Sequence, residues 1–323
     1  MMHPPPEVRF RERPVKKPGQ NDTLSPSKAW RGDPNPYQEL SMDPHFLTAV
    51  QGAMLEPVVT RRTFPKSEFP ELVVWIPDEY EEILLAPVYD AHIGAAGHDA
   101  ELFTEHMKWI ADTPNVVTWN GGDSIENANK FSPGAGVFHQ TRPQRQIFNA
   151  IEAWASVRHK TLFSLSGNHE DRIEAMGGID ISQWIAQVLD VPHFPGYCAC
   201  RLKWRKLNIN ILAHHGSGAA QTAGGQLNNI RKDLPWAHGF DLYWLGHTHR
   251  SMHSKEFRII HNPRTDRLVQ RECFAILSPS YLRYFGSYAE KKRYAPTTRG
   301  MAVVRIHESG TMAFEERAKG MRF

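Results

Sequence analysis

The segment DLYWLGHTHR, residues 241–250, ends an apolar run at Gly246 and then presents His247 and His249 one residue apart. Along an extended segment residues i and i+2 face the same side. Two imidazoles so placed can converge on one point, and a metal ion is the usual object of such convergence. A lone His-x-His pair is more often two surface side chains, but here the pattern recurs. LLAPVYDAHIG ends in Asp90 and His92, and VVTWNGGDSIEN ends in Asp123 with Glu126 three residues on. LFSLSGNHEDR ends in Asn168, His169 and Glu170, and INILAHHGSG ends in His214 and His215. Residues just beyond the carboxyl ends of strands in an open α/β sheet gather in one crevice. Five such tips, brought together without a cation, would stack buried charges and donors without partners. A metal site is the chemistry that these residue types and this spacing predict.

Asp90, His92, Asp123, Asn168, one histidine of the 214–215 pair, His247 and His249 make seven ligands. That is too many for one tetrahedral ion, and thiolates of the structural-zinc kind are absent from the set. Two ions sharing one carboxylate absorb all seven and leave positions for water. Oxygen and imidazole donors suit manganese, iron or zinc without choosing among them, and manganese is the ion expected first. Two ions roughly 3.5–4 Å apart clamp both oxygens of an in-line phosphoryl displacement.

The elements that must position these residues follow from periodicity. Residues 1–70 hold about half of the 23 prolines and read as a largely extended arm, with short helical turns near DPHFLTAVQGAML. The basic residues Arg9, Arg11, Arg13, Lys16 and Lys17 fit a solvated tail. From residue 71 to 323 the pattern is that of one domain. ELVVWIP, EEILLAPVYD, NVVTWNGGD, TLFSLSGNHE, LNINILAHHG and DLYWLGHTH read as strands. AELFTEHMKWIAD (with Asp99 placed to cap it), QRQIFNAIEAWASVRHK, ISQWIAQVLD and GGQLNNIRKDL read as helices. Two strands pair across HNPRTDR, and MAVVRIHESGTMAFEERA reads as a closing hairpin. Strand–helix alternation followed by strands predicts two packed sheets flanked by helices, a four-layer α/β/β/α sandwich.

The ordered set D-x-H, G-D-x-x-E, G-N-H-E, H-G and G-H-x-H, spanning Asp90 to His249, resembles the calcineurin-like metallophosphoesterase superfamily. The Gly-rich ILAHHGSGAAQTAGGQLNNI is similar to members found in phages and prophages. The resemblance implies two divalent ions. Asp90, His92 and His249 would hold the first, Asn168, His215 and His247 the second, and Asp123 would bridge them. His215 stands directly before Gly216, as the family's ligand often does; a shift of one residue would exchange it with His214. A metal-bridging hydroxide would be the nucleophile. His169 would be the general acid, with Glu126, where many relatives carry aspartate, accepting its other N–H.

Weaker candidates surround this set. Arg172 and Arg250 follow motifs and could reach a phosphate oxygen, as could Lys130 and His139 in the insertion NANKFSPGAGVFHQTR. His98 reads as an ordinary loop histidine. Aromatics of SPSYLRYFGSY could stack on a base, although core and edge packing is the plainer account. The loop GSGAAQTAGG could offer N–H groups to phosphate but is not a P-loop.

The 323 residues carry a net charge of +3, too small to argue for nucleic acid or membrane by itself. MMHPPPEVRF lacks the apolar core of a secretory signal, and no apolar run approaches a membrane span, so the expectation is a cytoplasmic protein without membrane partners. Cys198, Cys200 and Cys273 read as reduced structural thiols. The expected activity is phosphoester hydrolysis, a diester of a nucleotide or nucleic acid being slightly preferred. The rivals are a repair-type nuclease, a phosphomonoesterase or protein phosphatase, and a non-catalytic scaffold of the same fold.

Overall fold

The computed structural model describes residues 51, 55–64, 67–128, 142–218, 220, 222–291, 293 and 295–319. Two mixed sheets face one another. One is built on parallel strands β3 (Glu82–Leu85), β4 (Val116–Asn120), β5 (Thr161–Leu165) and β6 (His193–Phe194). It is extended on the β3 side by antiparallel β12 (Arg299–His307) and β13 (Met312–Lys319). The other runs in the order β1 (Thr60–Thr63), β2 (Glu71–Trp75), β7 (Cys198–Trp204), β8 (Leu207–Ala213), β9 (Leu242–Leu245), β11 (Arg267–Leu277), β10 (Met252–Asn262).

Composition explains which strands are central. β4, β5 and β9 are buried at every position, as parallel strands covered on both faces must be. Their polar side chains are satisfied internally: Thr118 Oγ1 donates to the Ala86 carbonyl at 2.8 Å and Asn120 Nδ2 to Ser164 Oγ at 3.1 Å. Hairpin strand β7 instead alternates between buried and half-buried or exposed positions. The core between the sheets is aromatic under the carboxyl ends of the strands. Trp119 stacks on Phe163 at 5.3 Å and meets Trp244 edge-on at 5.0 Å.

Helices α1 (Ala100–Asp112), α2 (Pro143–Ala155) and α4 (Ile181–Val188), the last following the short α3 (Asp171–Gly177), bury Phe103, Ile110, Ile151, Trp154 and Ile185 against the outer face of the six-stranded sheet. On the outer face of the seven-stranded sheet α5 (Ala223–Ile230) packs Ile230 against Leu245, Ala275 and Leu277. A further short helix, α6 (Tyr288–Lys291), lies between β11 and β12. The chain is thus an α/β sandwich of two mixed sheets.

Three expectations need correction. The extended arm does not reach residue 70: β1 pairs antiparallel with β2, and Val58 N–H donates to the His159 carbonyl at 2.9 Å. TRRT lacks apolar alternation because it is an edge strand, held by pairing with β2 and by Arg61 donating to the Arg158 carbonyl at 3.5 Å. Helix α2 stops at Ala155 and a 3-10 turn covers Arg158–Lys160. Asp99 stands at the N-cap of α1, but its carboxylate pairs with Arg283 (3.2 Å) and Arg299 (3.4 Å) instead of closing a cap hydrogen bond. β7 was not anticipated at all. The helical turns expected near residues 43–55 lie mostly outside the described residues. Among the described residues no helix is long and apolar enough to cross a membrane. All three cysteines are free and buried.

Candidate metal centre

Backbone pairing continues past the strand ends and carries the polar tips together. Bridges Val88–Asn120 and Ile93–Ile125 extend the β3–β4 alignment. Asp90 N–H donates to the Gly122 carbonyl at 3.1 Å and His92 N–H to that of Asp123 at 2.9 Å. In the other sheet Gly246 N–H donates to the His215 carbonyl at 2.8 Å. His247 N–H then crosses to Asp90 Oδ2 at 2.7 Å, joining the two sheets at the site. Glu170 clamps the second loop, its Oε2 and Oε1 accepting the N–H groups of Asp123 (3.0 Å) and Ile125 (3.1 Å).

The tips are strained. Asp90, His92, Asp123, His247 and His249 all have φ between 50° and 64°. A non-glycine residue in the left-handed region costs on the order of 1–3 kcal/mol and persists only where its surroundings over-determine it, typically at functional sites. Two glycines allow the close packing behind this. A Cβ on Gly167 would lie 2.1 Å from Asp123 N, and one on Gly246 would lie 2.4 Å from the Tyr89 ring and 2.5 Å from Asp90 Oδ2. The strand β9 ends on a glycine because Asp90 and Tyr89 occupy the space a side chain would need.

Three overlapping groups are placed to hold a metal ion: Asp90–His92–His249, His92–Asp123–His169 and Asp123–His215–His247. His249 Nε2 lies 3.3 Å from Asp90 Oδ1, and His215 Nε2 lies 3.3 Å from Asp123 Oδ2. Asn168 Oδ1 joins the last group, 2.8 Å from His247 Nδ1 and 3.2 Å from His215 Nε2. Outer partners fix the tautomers. His92 Nδ1 faces Glu126 Oε2 at 3.0 Å, His215 Nδ1 faces the Gly121 carbonyl at 2.9 Å, and His247 Nε2 faces the Gly218 carbonyl at 3.1 Å. Each acceptor requires the proton on that nitrogen, so in each neutral ring the other nitrogen presents a lone pair inward.

The inward atoms crowd together. His92 Nε2 stands 3.1 Å from His249 Nε2, and Asp90 Oδ1 is buried without a hydrogen-bond partner. A cation bound among them would satisfy these atoms together. Titration follows the same field. Burial, aided by His249, drives His92 down to about 3. Burial would lower His215 too, but the charge and hydrogen bond of Asp123 outweigh it and push that ring up to about 10, holding a proton where a cation would bind. Burial would raise Asp123; the imidazoles of His169 and His215 hold it well below the usual carboxylate range. Burial and the Asp123 charge push Glu170 up to about 8. The donor set therefore fits a metal ion of the oxygen- and imidazole-binding kind.

His214 does not face this cluster. Its ring stacks on Tyr197 with centroids 4.2 Å apart, its Nδ1 accepts Gly216 N–H at 2.9 Å, and it does not line the cavity over the site. That geometry groups His215, not His214, with Asp123 and His247, and leaves His214 out of the residues that line the cavity. His169 Nδ1 donates to the Glu126 main-chain carbonyl at 2.6 Å, while the Glu126 carboxylate lies nearer His92 (3.0 Å) than His169 (3.5 Å). The carboxylate expected to orient His169 therefore serves a ligand first. Arg172 Nη1 donates to the same carbonyl at 3.1 Å, and both Arg172 and Arg250 line the cavity. His98 is tied to the Ala91 carbonyl at 2.7 Å and packs on Phe103, as a structural histidine does. Lys130 and His139 lie outside the described residues.

Sequence reasoning gave no role to Glu170, Gln226, Thr248 or Arg283, while Tyr284, one of the aromatics of SPSYLRYFGSY, lines the cavity. Glu170 was visible inside G-N-H-E, but its two backbone acceptances leave no mark in sequence. Compared with known proteins, the chain matches no family model and no curated protein.

Proposed function

We propose that this protein is a dinuclear metal-dependent phosphoesterase with the calcineurin-like metallophosphoesterase fold. The observation that carries the reading is the convergence of buried carboxylate, amide and imidazole groups, with His249 Nε2 3.3 Å from Asp90 Oδ1, His215 Nε2 3.3 Å from Asp123 Oδ2 and Asn168 Oδ1 2.8 Å from His247 Nδ1. Asp90, His92 and His249 would hold one ion, Asn168, His215 and His247 the other, with Asp123 between them; the donor types suit manganese, iron or zinc without choosing among them. The ions, when bound, supply charge neutralisation at the phosphoryl oxygens and acidify water.

The remaining work falls to the chain's own residues. A water oxygen attacks phosphorus, the P–O ester bond opposite it breaks, and the leaving oxygen takes a proton. His169 is the group placed to give it. Burial, outweighing the Asp123 charge, holds this imidazole down to about 4, so in the free protein Nδ1–H is committed to Glu126 and Nε2 is bare. A phosphate beside Nε2 adds negative charge and favours the protonated ring. Asn127 Nδ2 donates to the His169 carbonyl at 2.6 Å and steadies that loop. Arg172 sits at the cavity wall within reach of a developing charge.

The test is hydrolysis of 4-nitrophenyl phosphate and bis(4-nitrophenyl) phosphate by protein loaded with manganese, before and after chelation. Chelator-sensitive turnover of either ester is expected. A fully loaded protein, with two ions per chain, that cleaves neither would overturn the reading.

A further inference from the structure

The outer strand of a sheet presents unpaired N–H and C=O groups, and chains usually shorten or charge such strands to keep them from pairing. Among the described residues four strands stand at the edges of the two sheets. Three follow that rule: β1 has four residues, β6 has two, and β13 carries Glu315, Glu316 and Arg317. β10 does not. It runs eleven residues, Met252–Asn262, in unbroken register with β11, without proline or bulge, and among the described residues no strand pairs with its outer edge. Along β11 the pairing with β9 covers only Phe274 to Leu277, so the far half of the β10–β11 ribbon extends past its neighbour. One face of that half is apolar and open, with Phe257 58 %, Ile259 76 % and Leu268 73 % exposed. Alternation puts Phe257 and Ile259 on the same face, and Leu268, paired opposite His261, stands diagonal to Ile259 on it. The lysine of that face, Lys255, is neutralised by Glu272 at 2.6 Å. A long, flat, apolar edge of this kind marks a pairing surface.

The sequence of β10 selects the occupant. A twofold axis perpendicular to the sheet sets two β10 strands antiparallel and keeps their faces in common, so each residue meets one of its own face. With the axis on Phe257 all eleven residues pair, from Met252 with the partner's Asn262 onward. That register also sets Glu256 opposite the partner's Arg258, twice by symmetry, and brings the two Phe257 rings together at the centre. Ile259 then lies across from the aliphatic stem of the partner's Lys255. Both charges are held in place, Glu256 by Arg231 at 3.1 Å and Arg258 by the Leu234 carbonyl at 2.6 Å. Moving the axis by one residue sets Glu256 against Glu256 or Arg258 against Arg258, and like charges directly opposite destabilise. Full overlap, opposite charges and an apolar centre thus coincide in one register. We propose that two copies of this chain pair through β10, joining their seven-stranded sheets into one. None of the paired residues lines the cavity over the metal centre, so the inference stands apart from the phosphoesterase reading.

Sedimentation equilibrium of the full chain from about 1 to 100 µM tests it, and a reversible dimer is the expected result. Phe257→Lys opposes two ammonium groups at the axis and should weaken association by about tenfold or more. Ile259→Lys, set against Lys255 across the pair, should act in the same direction and replaces Phe257→Lys if melting temperature shows that variant to be unfolded. Cross-linking reads the register itself. In Phe257→Cys the two thiols face one another across the axis, where directly opposed Cα atoms lie roughly 4.5–5.5 Å apart, and diamide should join them as a disulfide-linked dimer. Ile259→Cys should stay unlinked, because its two copies stand about 13 Å apart. The native cysteines are buried and do not compete. A monomer at every concentration overturns the proposal, whether its edge stays bare or is covered by residues 1–50 of the same chain. A dimer that survives both lysine substitutions, or that links as readily through Ile259→Cys as through Phe257→Cys, uses another surface and overturns it as well.

Discussion

Replacing Gly246 by alanine is a purely steric test of how the centre is held. The added Cβ would meet Asp90 Oδ2 at 2.5 Å and the Tyr89 ring at 2.4 Å, against 3.4 Å for ordinary contact. Tyr89 is wedged under the site, its hydroxyl accepting from Trp119 Nε1 at 3.1 Å and donating to the Trp244 carbonyl at 3.3 Å, so it yields little. Asp90 must therefore retreat by about 0.9 Å, and a packed interior offers it no room to do so freely. Its Oδ2 holds His247 N–H, and its Oδ1 lies 3.3 Å from His249 Nε2. A ligand shift of this size is several times the roughly 0.2 Å that metal–ligand distances tolerate. The expected outcome is at least tenfold weaker binding of one cation, with a stability loss of about 1–3 kcal/mol from overpacking. Metal content after dialysis against graded chelator, beside urea unfolding, separates the two effects. A variant that is destabilised yet binds two ions with parental affinity would show that Asp90 is not a ligand.

The other perturbations probe different links. Glu126→Gln removes the carboxylate 3.0 Å from His92 Nδ1 and should weaken metal binding by about 10- to 100-fold in a chelator competition; unchanged affinity would return that carboxylate to His169 alone. His169→Ala should lower turnover of esters with poor leaving groups by about 100-fold or more while metal content stays near two ions, whereas loss of an ion would make His169 a ligand of the His92–Asp123–His169 group. His106, buried on α1 and 3.0 Å from the Tyr281 hydroxyl, is driven down to about 4 by burial and then by Arg317. Its neutral form is favoured in the folded state, so the contribution is complete above the unfolded value near pH 6.5 and is lost as pH falls to about 4, a loss of at most about 3 kcal/mol. Urea unfolding at pH 7 and pH 4.5 should show a smaller drop for His106→Gln than for the parent protein; equal drops would refute the assignment.

What could be read from the sequence follows from the kinds of interaction involved. Strands β4, β5 and β9 are buried on both faces and therefore announce themselves as apolar runs, and each ends where its polar tip begins. β1 could not be recognised, because TRRT is held by backbone pairing with β2 and by Arg61 reaching the Arg158 carbonyl, 97 residues distant. β7 could have been: CACRLKW alternates buried and open positions, but two cysteines drew attention to their thiols. For the centre itself, residue types sufficed to name side chains that cluster, yet they left His214 and His215 interchangeable. The choice between them is made by the stacking of one ring on Tyr197 and the bond of the other to the Gly121 carbonyl, both tertiary.

The deeper reason lies in how the tips are shaped. Asp90, His92, Asp123, His247 and His249 all occupy the left-handed region, so the simple alternation that suggests two imidazoles on one side of a strand does not operate at His247 and His249. They converge because the chain is bent out of extended geometry there, with Thr248 N–H turned back onto the Gly246 carbonyl at 2.7 Å. The bend sends Thr248 to the cavity wall beside Arg250 while its neighbours face the ions' site. One strained turn thus aims both imidazoles at the cluster and sends Thr248 to the cavity wall. Relaxing it toward an ordinary strand would scatter these side chains, which is why the left-handed residues and the cluster they form belong together.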